Sequence, residues 1–171
     1  MTEHRLYLLR HAKSSWEQVG LADHDRPLAP RGRRAVDKLR RHLASLEAPP
    51  DLVLCSTARR TVETWRGIAP AFPVETPVVM SAELYAATAG ELCERVRRAP
   101  ADASCVLVIA HNPGLEDLAL DLVASGDLAL RRRLATKFPT GALATLLVPA
   151  RWPELAWGTA ELAAYVVPTE L

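Results

Sequence analysis

The chain has 171 residues, of which 49% are apolar and 24% are charged, so it is long enough for a domain with its own hydrophobic core. The 21 basic residues nearly balance the 20 acidic ones, and this balance gives no reason to expect a nucleic-acid partner. No apolar run approaches the roughly 20 residues of a membrane span, and no apolar signal segment follows Met1, so we expect a cytoplasmic protein without a membrane partner.

Short, continuous apolar runs predict strands that are buried on both faces. In chain order they cover residues 6–9, 52–55, 74–80, 106–110, 142–148 and 163–167, of which the run at 74–80 is the weakest. No linker, internal repeat or low-complexity segment interrupts them. We therefore predict a single domain over residues 1–171.

Helical patterns lie between the strand-like runs. One helix is indicated by apolar residues at helical spacing: Val36, Leu39, Leu43 and Leu46. Another is predicted to begin near Ser56, with an apolar face formed by Val62, Trp65 and Ile68. Strands that alternate with helices predict an α/β fold, a three-layer sandwich with a mostly parallel central sheet and helices on both faces.

Two further helix starts have recognisable signals. Thr88 and Glu91 have the spacing of a capping box, in which each side chain bonds to the other's backbone N–H. Asn112 and Pro113 are typical of a helix entry, with Asn112 as the N-cap and Pro113 in the first turn.

The residues that follow the strands are the first candidates for chemistry, because ligands of open α/β sheets bind beyond the carboxyl ends of the strands. Three predicted strands end in histidines, arginines or short polar residues: Arg10, His11, Ser56, Arg59, Arg60, His111 and Asn112. Their convergence at one edge of the sheet predicts a site for an anion.

The pair Arg59 and Arg60 supports this interpretation. A cation in the first turn of a helix opposes the helix dipole, whereas an anion bound at that end would stabilise both arginines. The alternative is a pair of solvated arginines. We interpret the other arginine clusters, at residues 33–34, 40–41 and 131–133, as solvated helix faces.

Neither a metal nor another cofactor is expected. No histidine pair has the spacing of a zinc motif, and the three cysteines are dispersed. A phosphate-binding cysteine nucleophile needs an arginine six positions further on, but the residue six positions after Cys55 is Thr61. We therefore expect Cys55 and Cys105 to be small core residues.

Several segments, in order along nearly the whole chain, resemble the histidine phosphatase (phosphoglycerate-mutase-like) superfamily. The likeness is strongest to its small SixA-type branch, which includes phosphohistidine phosphatases. The segments are 10–16 (RHAKSSW), 23–28 (DHDRPL), 55–64 (CSTARRTVET), 83–85 (ELY), 109–114 (IAHNPG) and 138–141 (FPTG). Aligned on Ser56, the second arginine of the family falls on Arg60 rather than Arg59, and Thr57 stands where the family usually has proline.

The resemblance implies a role for each residue of the predicted site. His11 would attack phosphorus and carry the phosphoryl group as a covalent intermediate. Arg10, Arg60 and His111 would surround the phosphoryl oxygens, with Asn112 beside them. Phosphoryl transfer depends mainly on positioning and charge stabilisation, which such a cationic cradle supplies.

The general acid remains open between two carboxylates, Glu83 and Asp23, and either could instead be a solvated surface group. A phosphohistidine substrate would reduce the need for an acid, because imidazole leaves more easily than an alkoxide. The favoured substrate is therefore a phosphohistidine or another phosphoprotein. The alternatives are a small phosphoester such as a sugar phosphate, and a non-catalytic phosphoryl-binding module.

Overall fold

The computed structural model describes residues 3–171. In it, the predicted site residues lie at or after the ends of strands of one mixed sheet. In that range the strands are β1 (His4–Arg10), β2 (Leu52–Ser56), β3 (Val78–Ser81), β4 (Cys105–Ala110), β5 (Val123–Gly126), β6 (Leu143–Val148) and β7 (Ala160–Val166). Their order across the sheet is β3-β2-β4-β1-β6-β7-β5. The first four pair in parallel, β5 is parallel to β7, and β6 is antiparallel to both of its neighbours. The mostly parallel sheet is confirmed.

The helices of the described chain are α1 (Pro30–Leu43), α2 (Arg59–Ile68), α3 (Ala89–Arg97), α4 (Gly114–Leu122) and α5 (Leu128–Thr136). Short 3-10 turns occur at Asp23–Asp25, Ala69–Ala71, Ala82–Leu84, Trp152–Glu154 and Pro168–Glu170. None of the helices in residues 3–171 combines the length and the apolar character that crossing a membrane requires.

The alternation of side chains along β1 divides the core between the two faces of the sheet. Leu6 and Leu8 pack in a cluster that includes apolar residues of α3 and α4, whereas Tyr7 and Leu9 pack with residues of α1 and α2. Since successive side chains of a strand point to opposite faces, the helices cover both sides. The predicted three-layer α/β sandwich is confirmed.

The helix signals in the sequence are confirmed in part. Val36, Leu39 and Leu43 are buried on α1. Thr88 Oγ accepts the N–H of Glu91 at 3.2 Å, and Glu91 accepts the N–H of Thr88 at 2.8 Å, so the capping box exists.

The predicted start of α4 is wrong. The helix begins at Gly114, with Pro113 in the capping position. The Asn112 side chain donates instead to the Phe138 carbonyl at 2.8 Å and to Glu116 at 3.3 Å. These partners compete with capping, and the bond to Phe138, 26 residues away, cannot be inferred from the dipeptide.

The predicted apolar face of α2 is also wrong in part. Val62 and Trp65 are only half-buried, whereas Arg60, Thr61 and Thr64 are buried. The helix starts at Arg59, three residues later than Ser56. The buried face at the start of α2 is made of polar residues, so the spacing of apolar residues does not identify it.

The edge strands differ most from the prediction. β3 covers only Val78–Ser81, and Val74 is fully exposed. β5 was not predicted, because its four residues are half-buried or exposed and contain no apolar run. β7 begins at Ala160, three residues before the predicted start, since its burial alternates rather than being continuous.

Substitution of Gly32 by alanine should destabilise the fold by about 1–3 kcal/mol, the usual effect of overpacking. A Cβ on Gly32 would meet the backbone carbonyl of Lys13, which cannot move aside like a side-chain end. Gly90→Ala is the matched control, because its Cβ would meet only Thr88 Oγ1 at 3.9 Å and alanine favours a helix by up to about 1 kcal/mol. Urea unfolding should show opposite signs; equal effects would contradict the argument.

Candidate active site

Arg10 and His11 are fixed by backbone hydrogen bonds where β1 ends. The His11 N–H donates to the Ala110 carbonyl at 3.2 Å, which ties it to the end of β4. The Gly141 N–H lies within 3.1 Å of the Arg10 and His11 carbonyl oxygens. Gly141 has a φ of +77°, a conformation that glycine adopts without strain. The histidine after β1 therefore stands on rigid backbone.

His11 is buried and has a defined tautomer. Its Nδ1 lies 2.8 Å from the Ala12 carbonyl oxygen. A carbonyl oxygen can only accept, so Nδ1 carries the hydrogen and Nε2 keeps its lone pair. Burial first, and then the charges of Arg60, Arg10 and Arg26, lower the pKa of His11 to about 4. His11 is therefore neutral at pH 7, with a free electron pair on Nε2.

His111 lies beside His11 on the neighbouring strand end. The two ring centroids are 5.2 Å apart, and His111 Nε2 is 2.8 Å from Ser56 Oγ. Burial, followed by the proximity of His11, lowers the pKa of His111 to about 3. The second imidazole is thus also neutral and can donate one hydrogen bond from its protonated nitrogen.

Arg60, and not Arg59, belongs to this region. The Arg60 guanidinium is buried and donates to the Asp23 carbonyl at 2.8 Å and to Asp23 Oδ2 at 3.0 Å. Arg59 is exposed and pairs with Glu63 at 2.8 Å, one helical turn away. The alignment on Ser56 therefore selected the arginine that faces the histidines.

Asp23 is a junction of several hydrogen bonds. Tyr85 donates to its carboxylate at 2.6 Å, and Arg26 and Arg60 donate at 3.0 Å each. The Tyr85 hydroxyl and then these guanidinium groups hold the pKa of Asp23 far below its usual range, and the same carboxylate raises the pKa of Tyr85. Asp23 is therefore an ionised anchor at neutral pH.

Glu83 lies outside this network. Its carboxylate is 2.7 Å from the guanidinium of Arg98, which caps the C-terminal end of α3, and 3.9 Å from Arg95 on α3. The structure thus brings Arg10, His11, Arg60, His111 and Asp23 into one cluster and turns Glu83 towards the helix. Both carboxylates that the sequence offered as an acid are engaged by arginines.

Two residues of the cluster were not singled out from the sequence. Arg26 is buried, donates to Ser14 Oγ at 2.5 Å and to the Ser15 carbonyl at 3.0 Å, and lies 3.2 Å from the centre of the Trp16 ring. Tyr85 contacts both Asp23 and, edge to face, His111. Both residues stand in segments that resemble the family, and this is the only signal that could have found them.

Arg10 and Asn112 meet at one backbone oxygen. The Phe138 carbonyl accepts from Arg10 at 3.0 Å and from Asn112 at 2.8 Å. Within residues 3–171, buried side-chain atoms without a hydrogen-bond partner include Arg10 Nε, His111 Nδ1 and Asn112 Oδ1. Buried polar atoms are normally paired with protein groups or water, so these three atoms are free to bond to a polar ligand or to solvent.

The arrangement suits a tetrahedral anion next to a nucleophile. Arg10, Arg26 and Arg60 supply positive charge, and neutral His11 supplies a lone pair. The described part of the chain holds no group of three or more histidine, cysteine, aspartate or glutamate residues that could bind a metal ion. Burial raises the pKa of Cys55 to about 12, so this thiol is not a competing nucleophile.

Comparisons with known proteins agree with this geometry. The sequence model of the histidine phosphatase superfamily (branch 1) matches residues 6–100. An uncharacterized protein of Mycobacterium tuberculosis, Rv1276c, is 36% identical over 162 residues, which cover 94% of this chain and 99% of the relative.

Solved structures extend the match to nearly the whole chain. A candidate phosphohistidine phosphatase SixA from Nakamurella multipartitia has a TM-score of 0.86 and 31% identity, with 98% of each chain covered. A second candidate SixA, from Agrobacterium tumefaciens, has a TM-score of 0.81 and 28% identity, with 96% of this chain and 98% of the other covered.

The unusual protonation of His11 can be measured directly. Its ring protons should titrate in NMR spectra with a midpoint near pH 4, about 2.5 units below the 6.5 of a free histidine, because burial disfavours the charged ring. The signal is assigned by its loss in His11→Asn. Below pH 6.5 the unfolded chain binds protons that the folded chain refuses, so His11 also lowers stability as the pH falls towards 4. A midpoint at pH 6 or above would contradict this description.

Proposed function

Since the chain belongs to the histidine phosphatase superfamily and is therefore a phosphatase, we propose that His11 is its nucleophile and that its substrate is a phosphohistidine on another protein. The observation that carries the proposal is the buried, neutral His11, whose Nδ1–H bonds to the Ala12 carbonyl and whose Nε2 is free to attack.

Two displacements would complete the reaction. In the first, a bond forms between His11 Nε2 and phosphorus while the bond from phosphorus to the substrate imidazole breaks, and the leaving imidazole keeps the electron pair. In the second, a water oxygen attacks the phosphorus, orthophosphate leaves, and the lone pair returns to Nε2. No group other than water is consumed.

The cationic residues would stabilise the phosphoryl oxygens in both steps. Arg60 is held by Asp23 at two points, so its guanidinium needs little rearrangement when substrate arrives. Within residues 3–171, two buried nitrogens of the site have no protein partner. They are the guanidinium Nε of Arg10 and the ring Nδ1 of His111. An equatorial phosphoryl oxygen would accept hydrogen bonds from them.

The preference for phosphohistidine follows from the state of the carboxylates. Hydrogen bonds from Tyr85 and two arginines hold the pKa of Asp23 far below its usual range, and Glu83 is paired with Arg98. An alkoxide leaving group needs a proton, whereas a phosphorylated imidazole departs without a strong acid. The SixA likeness, at 31% identity, supports the same substrate class.

Transfer of phosphate to His11 predicts a covalent adduct. Brief incubation with a labelled phosphohistidine peptide, followed by an acid quench or an alkaline quench, should give protein-bound label that is stable only in alkali. His11→Ala should abolish the label, whereas His42→Ala, a control on α1 outside the site, should retain it. Label that persists in His11→Ala would assign the nucleophile elsewhere.

The two neighbouring arginines of α2 should differ sharply. Arg60→Ala removes a preorganised donor and should lower kcat by roughly 10²–10³. Arg59→Ala loses only an exposed ion pair with Glu63 and should stay within about threefold of wild type, because such pairs contribute little. Steady-state kinetics on one substrate decide the order, and equal losses would place the phosphoryl group away from Arg60.

The role of Asp23 can be separated from that of a general acid. Asp23→Asn frees Arg60 and should therefore lower kcat/KM for phosphohistidine and phosphoserine peptides by similar factors. Glu83→Gln is the matched control and should change neither substrate. Wild type should prefer phosphohistidine. A loss confined to phosphoserine in Asp23→Asn would instead identify Asp23 as the acid.

A further inference from the structure

A cleft of about 730 Å³ opens beside the candidate active site. Its walls come from the end of β1, the first turns of α1, the last turn of α5 and the segment 167–170. Arg10 lines the cleft and also belongs to the cluster around His11. A molecule whose phosphoryl group meets His11 would therefore have this cleft as its neighbour.

The lining of the cleft is strongly basic. Glu170 is its acidic residue, whereas six lining residues are cationic: Arg10, Lys13, Arg31, Arg132, Arg133 and Lys137. The whole chain carries 21 basic and 20 acidic residues, so the excess at this place is not a property of the composition. Thr136, Thr140 and Thr169 add hydroxyl groups that can hydrogen-bond an anion.

Most of these cations are not compensated by the protein. Arg133 pairs with Glu170, but the other five form no ion pair with any residue of the described range 3–171. Crowded like charges repel one another and raise the local potential, so an anion bound among them would relieve the repulsion.

The cations come from distant parts of the sequence. Arg31 stands in the first turn of α1, where a cation opposes the helix dipole, and Arg132 lies a hundred positions later on α5. In the sequence, the arginines of α5 have the pattern of a solvated helix face. The fold places two of these arginines, Arg132 and Arg133, in the same cleft as Arg31 of α1.

We propose that this basic cleft binds an acidic segment of the phosphoprotein substrate that lies next to its phosphohistidine, an inference that rests on the proposed function. Lys13, Arg31, Arg132 and Lys137 are exposed and spread over separate elements. Such a distribution fits a row of carboxylates on an extended peptide. A single compact phosphoryl group would need donors that converge on one point.

The test compares two charge-neutralised proteins of equal net charge. In the first, Arg31→Gln, Arg132→Gln and Lys137→Gln remove three cations from the cleft. In the second, Arg33→Gln, Arg34→Gln and Arg41→Gln remove three exposed cations of α1 that do not line it. The substrates are two phosphohistidine peptides of equal length, flanked either by aspartate and glutamate or by asparagine and glutamine.

Wild type should hydrolyse the acidic peptide with a kcat/KM about tenfold above that of the neutral peptide at low salt, mostly through KM. The cleft variant should reduce the preference to about twofold, the loss expected for three exposed ion pairs. The control variant should keep the preference. All three proteins should turn over p-nitrophenyl phosphate at similar rates, because this small substrate has no acidic segment to contact Arg31, Arg132 or Lys137. A preference that survives in the cleft variant, or is absent from wild type, overturns the proposal.

A binding measurement separates this inference from the proposed function. A fluorescein-labelled, unphosphorylated acidic peptide should bind His11→Ala, and the three cleft substitutions should weaken binding by about fivefold, the same loss as in the kinetics. Turnover of p-nitrophenyl phosphate without turnover of any phosphohistidine peptide would refute the proposed function alone. Unchanged peptide binding in the cleft variant overturns the cleft proposal, as does cleft-dependent binding of inorganic tripolyphosphate without binding of the peptide.

Discussion

The parallel register between β1 and β4 is the constraint on which the site depends. Arg10 pairs with Ala110 at the ends of the two strands. The residues that follow, His11 and His111, therefore lie side by side. Burial of both faces of β1 fixes that register, because a slip by one residue would exchange the side chains of the two core clusters. Hydrophobic packing along β1 thus determines the distance between the rings of His11 and His111, although these rings are not part of the apolar core.

Electrostatics at the site are built on one carboxylate. The two histidines are neutral, so the three guanidinium groups alone would leave a large excess of positive charge. The Asp23 carboxylate offsets part of it by bonding to Arg26 and Arg60. Its position in a loop, rather than on a strand, lets it reach Arg26, Arg60 and Tyr85 at once. The same bonds that align the guanidinium groups lower the pKa of the carboxylate and so favour its ionised form.

The sequence predicted those features that depend on local pattern. Apolar runs located the central strands, and the rule that ligands bind at strand ends selected Arg10, His11 and His111 together with the pair Arg59 and Arg60. The family resemblance then distinguished Arg60 from Arg59. Contacts between distant segments were not predictable in this way. The buried position of Arg26, the ion pair of Glu83 with Arg98 and the cleft that is lined by both α1 and α5 all depend on tertiary packing. The edge strand β5 was missed because an exposed strand needs no apolar run.

The partner of His11 Nδ1 has a consequence for the lifetime of the proposed intermediate. The Ala12 carbonyl is a neutral dipole, whereas a carboxylate in that place would stabilise the positive charge that the ring acquires when Nε2 is phosphorylated. Neighbouring arginines add repulsion to that charge. The phosphorylated ring would therefore be high in free energy and quick to give up its phosphoryl group. If His11 is the nucleophile, its surroundings favour rapid release of phosphate over its storage or relay to another group.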